Sequence, residues 1–411
     1  MSYWGRILRI DLGGEVKEEE VKESFLRKYI GGTSLIAYFL MKEQAPKTEP
    51  FSEDSLLIFA PGVITGVPVG GCGRNAVGGK SPLTGAFGTS EVGGYWGAEL
   101  KKAGFDAIVI KGKAPKPVYI YINDGRVEIR DASKLWGRET GEVEDAIKDE
   151  LGDPLVRIAQ IGPAGERLVR FACIINDLHH AAGRTGMGAL MGSKNIKAIA
   201  VRGRKELPIK DKEEVLRISK WLRYNFRKKP GARSISELGT AGIVSFLNRN
   251  CGLPVRYFDN GASPKADSIT GEALLPFLKG RGSCFACPIR CKRIVEIKEP
   301  YYVSPKYGGP EYETIASIGS NCDIFDLKAI SKGSELCNKY GLDTISTGMV
   351  IAFAMKLAEE GIIKEDIKFG DPGSMLSLIE KIARREGIGD VLAEGIRRAS
   401  DCLLYTSDAA D

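Results

Sequence analysis

Histidine is nearly missing from this chain of 411 residues: His179 and His180 are the only two. That scarcity excludes zinc centres of the histidine-rich kind. It leaves a Ser-His-Asp triad only this adjacent pair to use, and no Gly-x-Ser-x-Gly elbow accompanies them. Long apolar runs are also missing. No segment approaches the roughly 20 apolar residues of a membrane span. The N-terminus, Met1-Ser-Tyr-Trp-Gly-Arg-Ile-Leu-Arg-Ile-Asp11, breaks its apolar residues with charges, unlike a signal peptide. A cytoplasmic protein with no membrane contact is expected. Cysteine is present but not as a scaffold, because nine spread over this length do not frame a small secreted fold.

Hydrophobic content of 43% and charged content of 27% describe a globular chain. At this length one core does not suffice, and two or three domains are expected. The net charge of +6 is too modest to imply nucleic acid. One basic stretch stands out, Trp221-Leu-Arg-Tyr-Asn-Phe-Arg-Lys-Lys229. It reads as an amphipathic helix with solvated charges and aromatics turned to the core. An acidic electron carrier is the partner such charge would suit.

The first half is rich in strand patterns. Arg6–Leu12 alternates, Leu56–Ala60 and Ala107–Lys111 are buried apolar runs, and 118–123, 127–130, 156–161, 168–175 and 196–202 follow. Helices are expected at 23–28, 34–42, 94–103 and 141–151, the last capped by Thr140. The pattern is too irregular for a regular doubly wound sheet. After Leu207-Pro208 the periodicity becomes helical: 212–228 behind an Asp211 cap, then 236–250, 271–278, 326–340, 344–360, 374–386 and 390–400. The expected fold is α+β and multidomain. A β-rich domain spans 1–207 and a mainly helical one 208–400, while 401–411, with Cys402, reads as a non-native tail.

Three cysteines cluster in Gly282-Ser-Cys284-Phe-Ala-Cys287-Pro-Ile-Arg-Cys291. Thiolates spaced C-x2-C-x3-C on one short loop can share an iron–sulfur cluster. Radical S-adenosylmethionine enzymes use the reverse order. Bacterial ferredoxins add a fourth cysteine just downstream, and a zinc knuckle wants four ligands in one compact module. Here the fourth ligand of a cube lies elsewhere. Cys251, Cys322 and Cys337 read as core residues.

Three glycine-rich runs mark the first domain: Gly70-Gly-Cys-Gly-Arg74-Asn-Ala-Val-Gly-Gly-Lys80, Gly88-Thr-Ser-Glu91-Val-Gly93-Gly94, and His180-Ala181-Ala-Gly183-Arg184-Thr-Gly-Met-Gly188. The third contains Gly-x-Gly yet fits neither a dinucleotide nor a Walker fingerprint. Singly each reads as tight turns. Together, with two arginines offering bidentate forks, they favour a large phosphate-bearing cofactor. In the helical half Glu311 and Glu313 follow Pro310, either as acids near a redox site or as an acidic helix start. Gly341 is expected at a helix C-terminus, with Asp343 capping the next helix.

These segments in this order resemble the tungsten-containing aldehyde:ferredoxin oxidoreductase family. The resemblance runs from Trp4-Gly-Arg-Ile-Leu-Arg through Ile30-Gly-Gly, Lys80-Ser-Pro-Leu-Thr-Gly, Gly183-Arg-Thr-Gly-Met-Gly, the cysteine loop and Gly341-Leu-Asp, and it covers nearly everything to Ser400. It implies a β-rich base carrying a bis-pterin cofactor of tungsten or molybdenum, with Mg2+ bridging the pterin phosphates. Arg74, Glu91, Gly93, His180, Ala181, Gly183 and Arg184 would line the cofactor from the first domain, and Leu342 and Asp343 from the helical side. Cys284, Cys287 and Cys291 would hold a [4Fe–4S] cluster, and Glu313 would assist proton transfer.

The family often has asparagine at the position of Glu91 and aspartate at that of Asn338. It places the fourth cluster cysteine and an active-site histidine in a third domain that this sequence does not reach. The implied reaction is aldehyde oxidation with ferredoxin as acceptor, in a homodimer or a hetero-oligomeric redox complex. The tungsten subunit of class II benzoyl-coenzyme A reductases shares the Gly-Gly-Cys-Gly-Arg and Gly-Gly-Tyr-Trp-Gly segments and is the alternative. A non-catalytic iron–sulfur electron-transfer protein is the third reading.

Overall fold

The computed structural model describes residues 2–408. The chain divides into two compact units: residues up to Phe226 with Ser283–Pro288, and Arg227–Gly282 with the residues from Ile289 on. The expected boundary at Leu207-Pro208 therefore falls short. The basic helix and six residues of the cysteine loop belong to the first unit, because Leu222 and Pro288 both pack against Gly70 there.

In the first unit, strands β1 (Arg6–Asp11), β2 (Val16–Glu20), β3 (Leu57–Pro61), β4 (Asn75–Lys80), β5 (Phe87–Val92) and β6 (Ala107–Lys111) form one sheet, ordered β2-β1-β6-β3-β4-β5. Strands β7 (Val118–Asn123), β8 (Arg126–Asp131), β9 (Arg157–Gln160), β10 (Ile174–Asn176), β11 (His180–Ala182) and β12 (Ile196–Arg202) form a second, ordered β11-β10-β9-β12-β7-β8. Both are mixed, with β1–β6 and β7–β12 parallel and the other pairs antiparallel. Helices α1 (Glu23–Tyr29), α2 (Gly32–Glu43), α3 (Trp96–Ala103), α4 (Thr140–Leu151), α5 (Pro163–Glu166), α6 (Met187–Ser193) and α7 (Lys212–Asn225) complete the unit.

Alternation along the strands builds the layers. Leu8, Ile10, Leu57, Phe59, Ile108 and Ile110 face Ile120, Ile122, Ile199 and Val201 in a core shared by the two sheets. The residues between them point the other way. Ile7, Ile58 and Val109 pack on α2, while Tyr119, Ile158 and Ala200 pack beside Val143 and Ile147 of α4. Two of the glycine runs, expected as ligand-binding turns, contain strands β4 and β5. Small residues pair there because the backbone lies close to its neighbours: a Cβ on Gly79 would stand 2.4 Å from Leu190. The 168–175 pattern yields only β10, and Thr140 is the first residue of α4 behind an N-cap at Glu139.

The second unit carries helices α8 (Pro230–Leu238), α9 (Val244–Arg249), α10 (Gly271–Leu274), α11 (Tyr312–Thr314), α12 (Leu327–Tyr340), α13 (Thr344–Glu359), α14 (Pro372–Arg384), α15 (Ile388–Leu392) and α16 (Ile396–Asp408). The fold is thus α+β, β-rich first and helical second. Strands β13 (Leu278–Gly282) and β14 (Lys292–Val295) form a hairpin in which Gly282 pairs with Lys292, so the cysteine loop is their connection. Helix α16 runs on through the start of the expected tail, whose last residues lie outside the described ones. Among the described residues no helix is long and apolar enough to cross a membrane.

Candidate functional site

The loop from Ser283 to Pro288 docks on the end of β5. A Cβ on Gly93 would lie 2.6 Å from Cys284 Sγ, and one on Gly73 would lie 3.2 Å from Cys284 Cβ, so only glycine lets the thiol settle here. Phe285 N–H donates to Gly94 O at 3.0 Å, and the hydroxyls of Tyr95 and Ser283 share a hydrogen bond of 3.2 Å. The Phe285 ring meets Tyr95 edge-on.

Behind this junction stands Asp177, in the β10–β11 turn. Tyr95 N–H donates to Asp177 Oδ2 at 2.9 Å, and Arg157 stands 3.7 Å from Oδ1 and 4.5 Å from the centre of the Tyr95 ring. Burial dominates over Arg157 and the Tyr95 amide, and pushes the Asp177 carboxyl up to about 6. Gly94, at φ +93°, lets its backbone pass between Asp177 and the His180 ring.

The expected cofactor-lining residues of the first unit meet where the sheets' edge strands, β5 and β11, pack side by side. Asn75 pairs with Val92, which carries Arg74 to the end of β5 where Gly93 sits. Arg184 N–H donates to Ser90 Oγ at 3.2 Å, next to Glu91. Arg74, Glu91, Ala181 and Arg184 are exposed, Gly183 is half-buried, and His180 and Gly93 are buried. Two exposed guanidiniums beside open backbone suit phosphate oxygens, so the donor set fits a phosphate-bearing cofactor. Glu91 is the one carboxylate in this set.

Cys284, Cys287 and Cys291 form no disulfide and are half-buried, with Cys287 N–H bonded to Cys284 O at 3.1 Å. Cys322 and Cys337 are deeply buried instead, and burial raises both thiols far above the range of reactive cysteines. Cys251, expected in the core, is exposed, so what sets the loop cysteines apart is their spacing on one loop. Among the described residues no three His, Cys, Asp or Glu side chains gather around a single-ion site. A cluster differs in spreading its thiolates over several irons.

In the second unit Glu313 is exposed on α11 and Glu311 is the fixed acid. Burial raises the Glu311 carboxyl, but Lys292 at 2.7 Å and the Thr240 hydroxyl more than offset it and hold it below the usual range. Because Lys292 follows Cys291, this pair braces the cysteine loop's second strand. Arg293 beside it is buried and donates to the carbonyls of Ser236, Glu237 and Arg290. Gly341 ends α12, and Asp343 caps α13, accepting from Ile345 N and Ser346 N at 3.1 Å each. Leu342 between them is buried. Asp177, Tyr95 and Glu311 were not singled out for these roles from the sequence. Asp177 and Tyr95 sit in ordinary turn and helix-start contexts, and only the neighbouring proline drew notice to Glu311.

A β-rich unit presenting paired arginines and a docked thiol loop, followed by a helical unit, describes a cofactor-dependent oxidoreductase. The chain belongs to the aldehyde ferredoxin oxidoreductase family: its N-terminal domain model matches residues 7–203 and its model of domains 2 and 3 matches 217–406. Tungsten-containing aldehyde ferredoxin oxidoreductases of Pyrococcus horikoshii and Pyrococcus furiosus are 46% and 45% identical over 97% of this chain, which covers 67% of each relative. Among solved structures, the active-site complex BamBC of benzoyl coenzyme A reductase, with 1,5-dienoyl-CoA, superposes with a TM-score of 0.86 at 31% identity. That match covers 98% of this chain and 64% of that one. The chain thus spans about two thirds of the length of the proteins it resembles.

Proposed function

We propose that the complete protein oxidises aldehydes to carboxylic acids and delivers the electrons to ferredoxin. The overall change is aldehyde plus water to acid, two protons and two electrons, so each turnover reduces two one-electron carriers. The observation that carries this reading is the seating of the Cys284 loop on Gly73 and Gly93. It joins the thiols to the strand end where Arg74 stands.

A bis-pterin tungsten centre, bound here, would supply the two-electron redox chemistry. Arg74 and Arg184 would grip the pterin phosphates, with Gly93, His180, Ala181 and Gly183 shaping the backbone beneath them. Glu91 would hold a Mg2+, whose charge would offset the repulsion between its carboxylate and the phosphates. Cys284, Cys287 and Cys291 would hold the [4Fe–4S] cluster, Leu342 and Asp343 would contact a pterin, and Glu313 would hold or pass a proton at its carboxylate. A cytoplasmic location completes the proposal.

The likeness to BamBC favours a second reading, reduction of an aromatic thioester within a larger complex. Full-length protein assayed with a panel of aldehydes and a viologen dye separates the two. Aldehyde-dependent dye reduction is expected, and activity with an aromatic coenzyme A thioester alone would overturn the aldehyde reading.

A further inference from the structure

The basic stretch was expected to turn its aromatics inward; Phe226 does so, but Trp221 and Tyr224 of helix α7 do not. Asp211 caps it, yet none of its residues is fully buried. Val215, Ser219 and Leu222 form the half-buried face, while Arg217, Trp221 and Tyr224 make one exposed stripe and Leu216, Lys220 and Arg223 the next. Trp221 is 60% and Tyr224 74% exposed. From Val215 to Asn225 the helix has no acidic residue. Large apolar groups left in water among positive charges, with Arg217 paired to Glu214 and Lys220 and Arg223 turned to solvent, mark a surface for another molecule.

The position of that surface says which molecule. Leu216 and Val215 wall a cavity of about 350 Å³ whose opposite side is Phe285, between Cys284 and Cys287. Lys102, Lys205 and Lys212 also line it, with Glu206 paired to Lys212 at 2.5 Å, and Lys102 Nζ sits 4.9 Å from the centre of the Phe285 ring. Further along, Leu222 and Pro288 meet at Gly70, so α7 runs beside the cysteine loop. Ala286, at the tip, is exposed. A basic, aromatic-bearing surface wrapped around a thiol loop suits an acidic redox protein. Opposite charge steers the encounter, and exposed aromatics supply the contact.

We propose that this cavity and the exposed stripes of α7 are the docking surface for a small acidic one-electron iron–sulfur carrier protein. The carrier's carboxylates would meet Lys102, Lys220 and Arg223, and its apolar rim would meet Leu216 and Trp221. The proposal rests on reading Cys284 and Cys287 as cluster ligands, and it fixes where the electrons leave.

The test uses the full-length holoprotein with two variants, Lys220→Glu/Arg223→Glu and Trp221→Ala, and an acidic [4Fe–4S] ferredoxin as probe. Ferredoxin binding is measured by fluorescence titration, and aldehyde-dependent rates are measured with ferredoxin and, separately, with methyl viologen. The charge reversals are expected to weaken binding and kcat/KM for ferredoxin by about tenfold at low salt, a gap that closes as salt screens it. Loss of the indole is expected to cost about 30-fold. Viologen rates and melting temperatures should stay at the parent value.

Unchanged ferredoxin binding in both variants would overturn the docking surface. So would a parallel fall of viologen rate, ferredoxin rate and melting temperature, because the face is then covered by the protein itself. If no aldehyde reduces viologen, the aldehyde reading fails, while the titration still reports on docking.

Discussion

At the scale of single residues, the junction of Gly93, Gly94, Asp177 and Cys284 concentrates the sharpest constraints. Substituting Gly93→Ala places a methyl carbon 2.6 Å from Cys284 Sγ, so the loop must lift. We expect the protein to fold with a loss of about 1–3 kcal/mol, typical of overpacking, and to bind markedly less iron. Normal iron content in this variant would show that the thiol does not need the seat. Asp177 gives a pH signature. Its folded value, about 6, lies above the ordinary 3.8. The folded state therefore keeps a proton that the unfolded chain gives up as pH rises through 3.8 to 6. Stability contributed by the protonated form is present below this window and lost across it, by about 3 kcal/mol. Asp177→Asn keeps an acceptor for Tyr95 N–H and removes the ionisation. Its melting temperature, relative to the parent, should rise by roughly 3 °C between pH 4 and pH 7, because a chain this long has a large unfolding entropy. A flat difference would contradict a buried, reluctant carboxylate.

At the scale of elements, the caps are separable from the site. Asp343 accepts from two backbone amides at the start of α13, so Asp343→Ala should cost about 1 kcal/mol, while Asp343→Asn should cost only a few tenths. Loss of tungsten in the asparagine variant at unchanged stability would reveal a direct pterin contact; retention would leave Asp343 as a cap alone. Elements were legible where period and punctuation agree. The strands at 107–111, 118–123 and 196–202 and the caps at Asp211 and Asp343 follow directly from alternation and Asx chemistry.

Strands β4 and β5 were not legible, because glycines chosen for close backbone approach carry no hydrophobic period and read as turns. Helix α7 misled in the opposite way. Its aromatic spacing is that of a core face, and only the surrounding fold decides which stripe is buried. The candidate cofactor residues were legible as motifs. Their convergence was not, because it depends on β5 and β11 meeting at the edges of two different sheets. Glu311 shows the same limit: two acids follow Pro310, and Lys292, distant in sequence, selects which one is fixed.

At the scale of the whole molecule, a β-rich base gathers arginines at a sheet edge, seats a thiol loop against it and leaves a basic helix open alongside. On the proposed function, this family member carries a tungsten-pterin centre and an iron–sulfur cluster together. Metal analysis of the full-length protein, produced anaerobically with tungstate and molybdate both supplied, tests that claim most directly. Iron should be found together with tungsten or molybdenum. A Cys284→Ser/Cys287→Ser variant should lose the iron, and an Arg74→Ala/Arg184→Ala variant the heavier metal. Iron with neither tungsten nor molybdenum would contradict the account and leave a non-catalytic iron–sulfur protein in its place.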